Sequence, residues 1–274
     1  MLRHALLFCL ATVGCGGLTE RDKRPEDWHP VGGPVELPLQ TGEVRIVNDG
    51  IESVWQISAH AREWLRAPAC SERMLAACSV RSCEEPLAGD PAKFRDLGFV
   101  DVTLGSTSWT VDGSASGKAP LWNGTQNGVV SSTGADVPPF QVALVAPPGV
   151  QLLLPEVPSL GNPHELNRST PLEVRWSGGE PGRKVRAVLL WQAFTKDSVQ
   201  SVAIACSYPA TDGAGSIPSD LLLDIPSVGG VLSITLEVMS YELATVFAGD
   251  FEVTVSAVNH AQDENGSLAI IWLH

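Results

Sequence analysis

Phe251-Glu252-Val253-Thr254-Val255-Ser256-Ala257 alternates apolar and polar side chains without a break. Successive side chains of a strand point to opposite faces, so a period of two marks a half-buried strand with one face on a core. The same period runs through Leu172-Glu-Val174-Arg-Trp176, Val185-Arg-Ala187-Val-Leu189-Leu-Trp191, Val202-Ala-Ile204-Ala-Cys206-Ser-Tyr208 and Leu232-Ser-Ile234-Thr-Leu236-Glu-Val238. A closing strand is expected from Leu268 to Leu273. Turn signals separate these runs at Ser177 to Gly182, Asp212-Gly-Ala-Gly215, Gly229-Gly230 and Ala248-Gly249-Asp250. Strands at this spacing, with no alternation of strand and helix, predict a β-sandwich. Ser219 to Asp224, between Pro218 and Pro226, reads as a single helical turn.

Working towards the N-terminus, Glu43 to Val47, Ile51 to Ala59, Phe99 to Leu104, Ser108 to Val111 and Pro139 to Val145 also read as strands. Ala146-Pro147-Pro148-Gly149 interrupts the pattern and is the expected domain boundary. The fold class is therefore all-β, with two β-sandwich (Ig-like) domains over residues 39–147 and 148–274. A single merged sandwich is the alternative. In the second domain Trp176, Leu189, Ile204, Leu236 and Val253 share the apolar phase and are expected in one core. Arg175, Ser207, Glu237 and Glu252 hold the opposite phase and are expected to face solvent.

The first residues have a different character. Arg3 is followed by an apolar run from Ala5 to Gly14. That run is shorter than the ~20 residues a spanning helix needs and has the length of a signal-peptide core. Thr12-Val13-Gly14-Cys15-Gly16 resembles the lipobox of bacterial lipoproteins. The resemblance implies a signal peptide over 1–14, lipidation at Cys15 and a membrane anchor, with Gly16 favouring the outer membrane. Residues 15–38 are charged and rich in Pro and Gly, as a flexible tether would be.

The 274 residues carry a formal charge of −13, and once Arg3 leaves with the leader, 17 basic residues face 31 acidic ones. A surface of that sign repels phosphate backbones and weighs against nucleic acid as a partner. Gly and Pro number 26 and 20, which suits many short strands joined by turns.

Chemistry-bearing residues are scattered. Apart from Cys9 in the leader and Cys15, the cysteines are Cys70, Cys78, Cys83 and Cys206. Cys70, Cys78 and Cys83 crowd within fourteen positions, and at least one disulfide among them is expected in an exported protein. Cys206 shares the inward phase of Ile204 and is read as a buried free thiol. The trio lacks the paired spacing of zinc knuckles. His60, His164 and His260 stand alone, and His164-Glu165 lacks the second His of a zinc protease helix. Gly113-Ser-Ala-Ser-Gly117 places Ala115 where a nucleophilic serine would belong, and Gly113 to Lys118 is read as a solvated hairpin loop. Asp263-Glu264 beside Asn265-Gly266 reads as an acidic turn. No cofactor is implied. Of the eight Trp, Trp176 and Trp191 belong to the core phase, while Trp55, Trp64, Trp109 and Trp122 have no fixed place. Two of those exposed together could stack on a sugar ring.

Pro120-Leu-Trp122-Asn-Gly124 and Gly134-Ala-Asp-Val-Pro138-Pro-Phe140 resemble segments of uncharacterised envelope lipoproteins of myxobacteria. So do Val174-Arg-Trp176-Ser-Gly-Gly179, Ala205-Cys206-Ser-Tyr208, Gly215-Ser-Ile217-Pro218 and Ala248-Gly249-Asp250-Phe251. That resemblance implies location and fold, and no activity. The expectation is a non-enzymatic envelope lipoprotein serving as a structural or interaction module. The alternative is a ligand-binding or adhesive module, with glycans as one class of ligand.

Overall fold

The computed structural model describes residues 31–49, 54–65, 67–86, 92–118, 120–156, 164–194, 197–226, 233–261 and 268–273. The leader, Cys15, most of the tether and the Asp263–Gly266 turn lie outside them. Within them the chain is all-β, and the strands follow the expected phases.

Thirteen strands form one wide sheet. Its path begins with β1 (Gly33–Val35), β4 (Ala69–Leu75) and β5 (Cys78–Pro86), then takes in β16 (Ser198–Pro209), β15 (Lys184–Phe194) and β18 (Ser233–Ala248). It continues through β19 (Phe251–His260), β2 (Gln40–Asp49) and β3 (Val54–Trp64) to β6 (Ala92–Arg95). β20 (Leu268–Leu273) lies beside the start of β18 and carries β13 (His164–Leu166) in parallel, while β9 (Ser114–Gly117) pairs with the start of β3. Two smaller sheets complete the fold. One is ordered β11 (Phe140–Ala146), β10 (Gln126–Ser132), β7 (Val100–Leu104), β8 (Thr107–Val111); the other is β12 (Val150–Leu154), β14 (Leu172–Gly178), β17 (Ala214–Ile217). The expected helical turn is α1 (Ser219–Leu222), whose Leu221 and Leu222 are buried.

Both small sheets cover the same face of the wide one. On β18, Ile234, Leu236 and Val238 point into one apolar cluster and Ala248 points into a second. All four share one parity along a single strand, so the two clusters sit side by side on one face. The first cluster gathers Trp176, Leu189, Trp191, Ile204 and Leu236 under the three-stranded sheet. The second gathers Ile46, Ile57, Val102, Val130, Val253 and Val255 under the four-stranded one. Val253 is thus buried as its phase requires, but in the other core from Trp176, because β19 lies between β18 and β2 and its inward side chains meet those of β2 under the four-stranded sheet. Of the residues expected in solvent, Arg175 is exposed and Ser207 and Glu252 are half-buried. Glu237 is also half-buried and sits within 3.8 Å of Arg45 and 4.0 Å of His260.

The break at Ala146–Gly149 is where the covering layer passes from the four-stranded to the three-stranded sheet. Pro147 and Pro148 are buried there. Trp122 Nε1 donates to the Pro147 carbonyl at 2.7 Å, and Ser240 Oγ donates to that of Pro148. The wide sheet beneath runs on across the break: β5 pairs with β16, and β19 with β2.

Three stretches differ from expectation. Val31 is 4% exposed, and Gly33–Val35 pairs with β4, so the end of the expected tether is part of the sheet. Ser114–Gly117 is a strand and not a loop, because its backbone finds partners along Trp55–Ser58. β4 and β5 were illegible as strands because Ser71 and Arg73 on β4, and Cys78 and Ser82 on β5, take inward positions where Val or Ile would show the period. Ser71, Cys78 and Ser82 are buried, with the Ser71 and Ser82 hydroxyls 2.9 Å apart, and Cys70 is buried on the opposite face.

The cysteines pair as Cys70–Cys83 and Cys78–Cys206. The first bridge lies within the clustered trio. The second corrects the reading of Cys206 as a free thiol: the register of β5 on β16 sets Cys206 directly opposite Cys78, a proximity that a sequence separation of 128 hides.

Candidate functional site: a polar groove on the open face

The face of the wide sheet turned away from the two cores holds an open groove of about 400 Å³ across β19, β2 and β3. Strand alternation builds it. Gly42 and Val44, Ala59 and Ala61, and Val253 and Val255 point inward, which turns Thr41 and Glu43, His60, Arg62 and Trp64, and Thr254 outward to line the groove. Register fixes their neighbours: Thr254 lies opposite Glu43 and Glu43 opposite His60, while Thr41 lies opposite Arg62.

His60 Nε2 is 3.5 Å from Glu43 Oε2. Burial is the main influence on the imidazole and pushes its pKa below the ordinary value; the Glu43 carboxylate pulls it up and the Arg62 guanidinium adds to the lowering. His60 is therefore neutral at pH 7 and offers one donor and one acceptor. The Arg62 guanidinium sits 5.8 Å from the Trp64 ring centroid and 5.3 Å from that of Phe94. These are cation–π distances, and among the described residues two rings and not a carboxylate hold the cation. Among the same residues the buried Arg62 Nε has no hydrogen-bond acceptor. On the opposite face of the same strands, Arg95 pairs with Glu63 and fastens β6 to β3.

The arrangement supplies one carboxylate, a neutral imidazole, a guanidinium, two hydroxyls and an indole on an open surface. Such a set can hydrogen-bond and stack. Sequence reasoning missed the groove because His60 and Glu43 lie on different strands and meet only through register. Its one available signal was the outward alternation His60, Arg62, Trp64.

The other candidate residues lie elsewhere. Trp55 and Trp109 are half-buried against the second core, with ring centroids 5.9 Å apart and planes inclined at 59°. That tilt offers no shared flat platform. Trp122 is 3% exposed. Among the described residues no group of three or more His, Cys, Asp or Glu is placed to hold a metal ion, and no helix is long and apolar enough to cross a membrane. Comparison with models of known protein families gives no match, and comparison with curated proteins gives none either.

Proposed function

We propose that this chain is an exported, lipid-anchored interaction module of a bacterial cell envelope, without a reaction of its own, and that its working surface is the open face of the wide sheet. The observation that carries the reading is that, among the described residues, the covering sheets lie on one side of that sheet. Both cores lie on one face, and the other presents a polar groove held in place by strands from both ends of the chain. Glu43 and His60 sit side by side on an open surface, where water competes for both the imidazole and the carboxylate.

Export is supported by Arg3, the apolar leader and Gly14-Cys15-Gly16. The two disulfides fit an oxidising compartment. One lipidated Cys carrying several acyl chains gives stable anchoring, which a single chain does not.

Two measurements test the proposal. Labelled palmitate should enter the full-length protein in a bacterial host and be absent from Cys15→Ser, which should leave the membrane fraction. Purified and concentrated, the Cys15→Ser protein should then co-sediment with isolated envelopes through a weak contact that the dilution of cell lysis breaks, and Arg62→Ala should abolish that association. Unlabelled wild-type protein would overturn the anchor, and co-sedimentation indifferent to Arg62 would overturn the assignment of the surface.

A further inference from the structure

We propose that the ligand of this groove is a neutral oligosaccharide laid across the strands; the inference rests on the interaction-module reading and names its ligand class. The outward positions in register form a row of Phe247, Glu252, Thr41, Arg62 and Phe94 on β18, β19, β2, β3 and β6. Thr254, Glu43 and His60 form a second row beside it. Five strands at the usual spacing make the first row about 19 Å long. It is closed at both ends by phenylalanines that are each 73% exposed. An aromatic ring, a carboxylate, a hydroxyl, a guanidinium and a second aromatic ring thus follow one another along one line.

Sugar rings present exactly two kinds of surface to such a line, apolar C–H faces and hydroxyl edges. Trp64 and the two phenylalanines supply flat apolar contact for the faces. Glu43 accepts from hydroxyls, His60 and the two threonines both donate and accept, and Arg62 only donates. Because the rings and not a carboxylate hold Arg62, its N–H groups keep their capacity for a ligand oxygen.

Charge decides between classes of glycan. The chain carries −13 overall, and Glu43 and Glu252 outweigh Arg62 locally while His60 is neutral. Acidic polysaccharides are repelled from such a surface. A peptide is disfavoured for a different reason. Extended peptides gain affinity by pairing with a free sheet edge, whereas β19, β2 and β3 are interior strands with partners on both sides.

The test is affinity electrophoresis of the detergent-solubilised full-length protein through native gels. The gels would contain hydroxyethylcellulose, mixed-linkage glucan, galactomannan or glycogen, with polygalacturonate as the acidic comparison. Retardation by at least one neutral polymer and not by polygalacturonate is expected. Trp64→Ala and Glu43→Gln should each weaken it by about tenfold. Thermal melts of both variants report folding, and Glu43→Gln carries the result if Trp64→Ala unfolds. Retardation by polygalacturonate alone, by no neutral polymer, or undiminished in folded variants would overturn the proposal. Envelope co-sedimentation that needs Arg62 while every neutral polymer fails would overturn the glycan and leave the interaction module standing.

Discussion

Cys78 and Cys206 face each other across β5 and β16, and their disulfide joins positions 128 residues apart. Cys70 and Cys83 close a loop of only 13 on the neighbouring pair of strands. In the chain-entropy account, the longer loop restricts the unfolded chain more, by about 5 kcal/mol against about 3 kcal/mol. Replacing both members of each pair by Ala should therefore lower the urea midpoint further for Cys78/Cys206 than for Cys70/Cys83. The reverse order would show that native packing, and not loop length, sets their worth.

Trp176 is 2% exposed and its Nε1 donates to the Ala210 carbonyl at 2.8 Å. Trp176→Ala leaves a cavity and an unpaired acceptor, and should cost about 3–5 kcal/mol. Glu252→Ala, on the open face, should cost less than about 0.5 kcal/mol. Urea melts of the whole chain are the measurement, because residues 148–274 alone would lose Cys78 and the strands that cover Val253. Equal losses would contradict the assignment of faces.

Gln200 is 0% exposed, and among the described residues neither its amide nitrogen nor its oxygen has a hydrogen-bond partner. A buried amide without partners costs about 1–3 kcal/mol relative to water. Gln200→Met keeps the length and removes the polar atoms, so it should raise stability by about 1 kcal/mol. A fall in the melting midpoint would mean that the amide is bonded in solution.

His60 gives a signed dependence on pH. Its folded pKa lies below the ordinary 6.5, chiefly through burial, with Glu43 opposing and Arg62 assisting. The folded state binds fewer protons there than the unfolded chain, so the His60 contribution is full above about pH 6.5 and is lost as pH falls through the folded value. The effect on stability is small because the side chain is 39% exposed. NMR titration of the imidazole should give a midpoint below 6.5, and Glu43→Gln should lower it further. A midpoint above 6.5 would show that the carboxylate outweighs burial.

The alternation around Phe251 to Ala257, and its repeats through Trp176, Leu189, Ile204 and Leu236, determined from sequence alone which segments are strands and which side chains are buried. That information is local: a strand's inward phase is written in its own side chains. Where Ser and Cys replace the apolar residues, as in β4 and β5, the writing is lost. The choice of partners was decided only in three dimensions. Val253 joins the second core because β19 pairs with β2, Cys206 is bridged because β16 lies on β5, and Glu43 meets His60 because β2 lies on β3. Pairing depends on burying two faces together at long sequence separation, and an alternating strand satisfies its own period equally well beside any neighbour of matching phase.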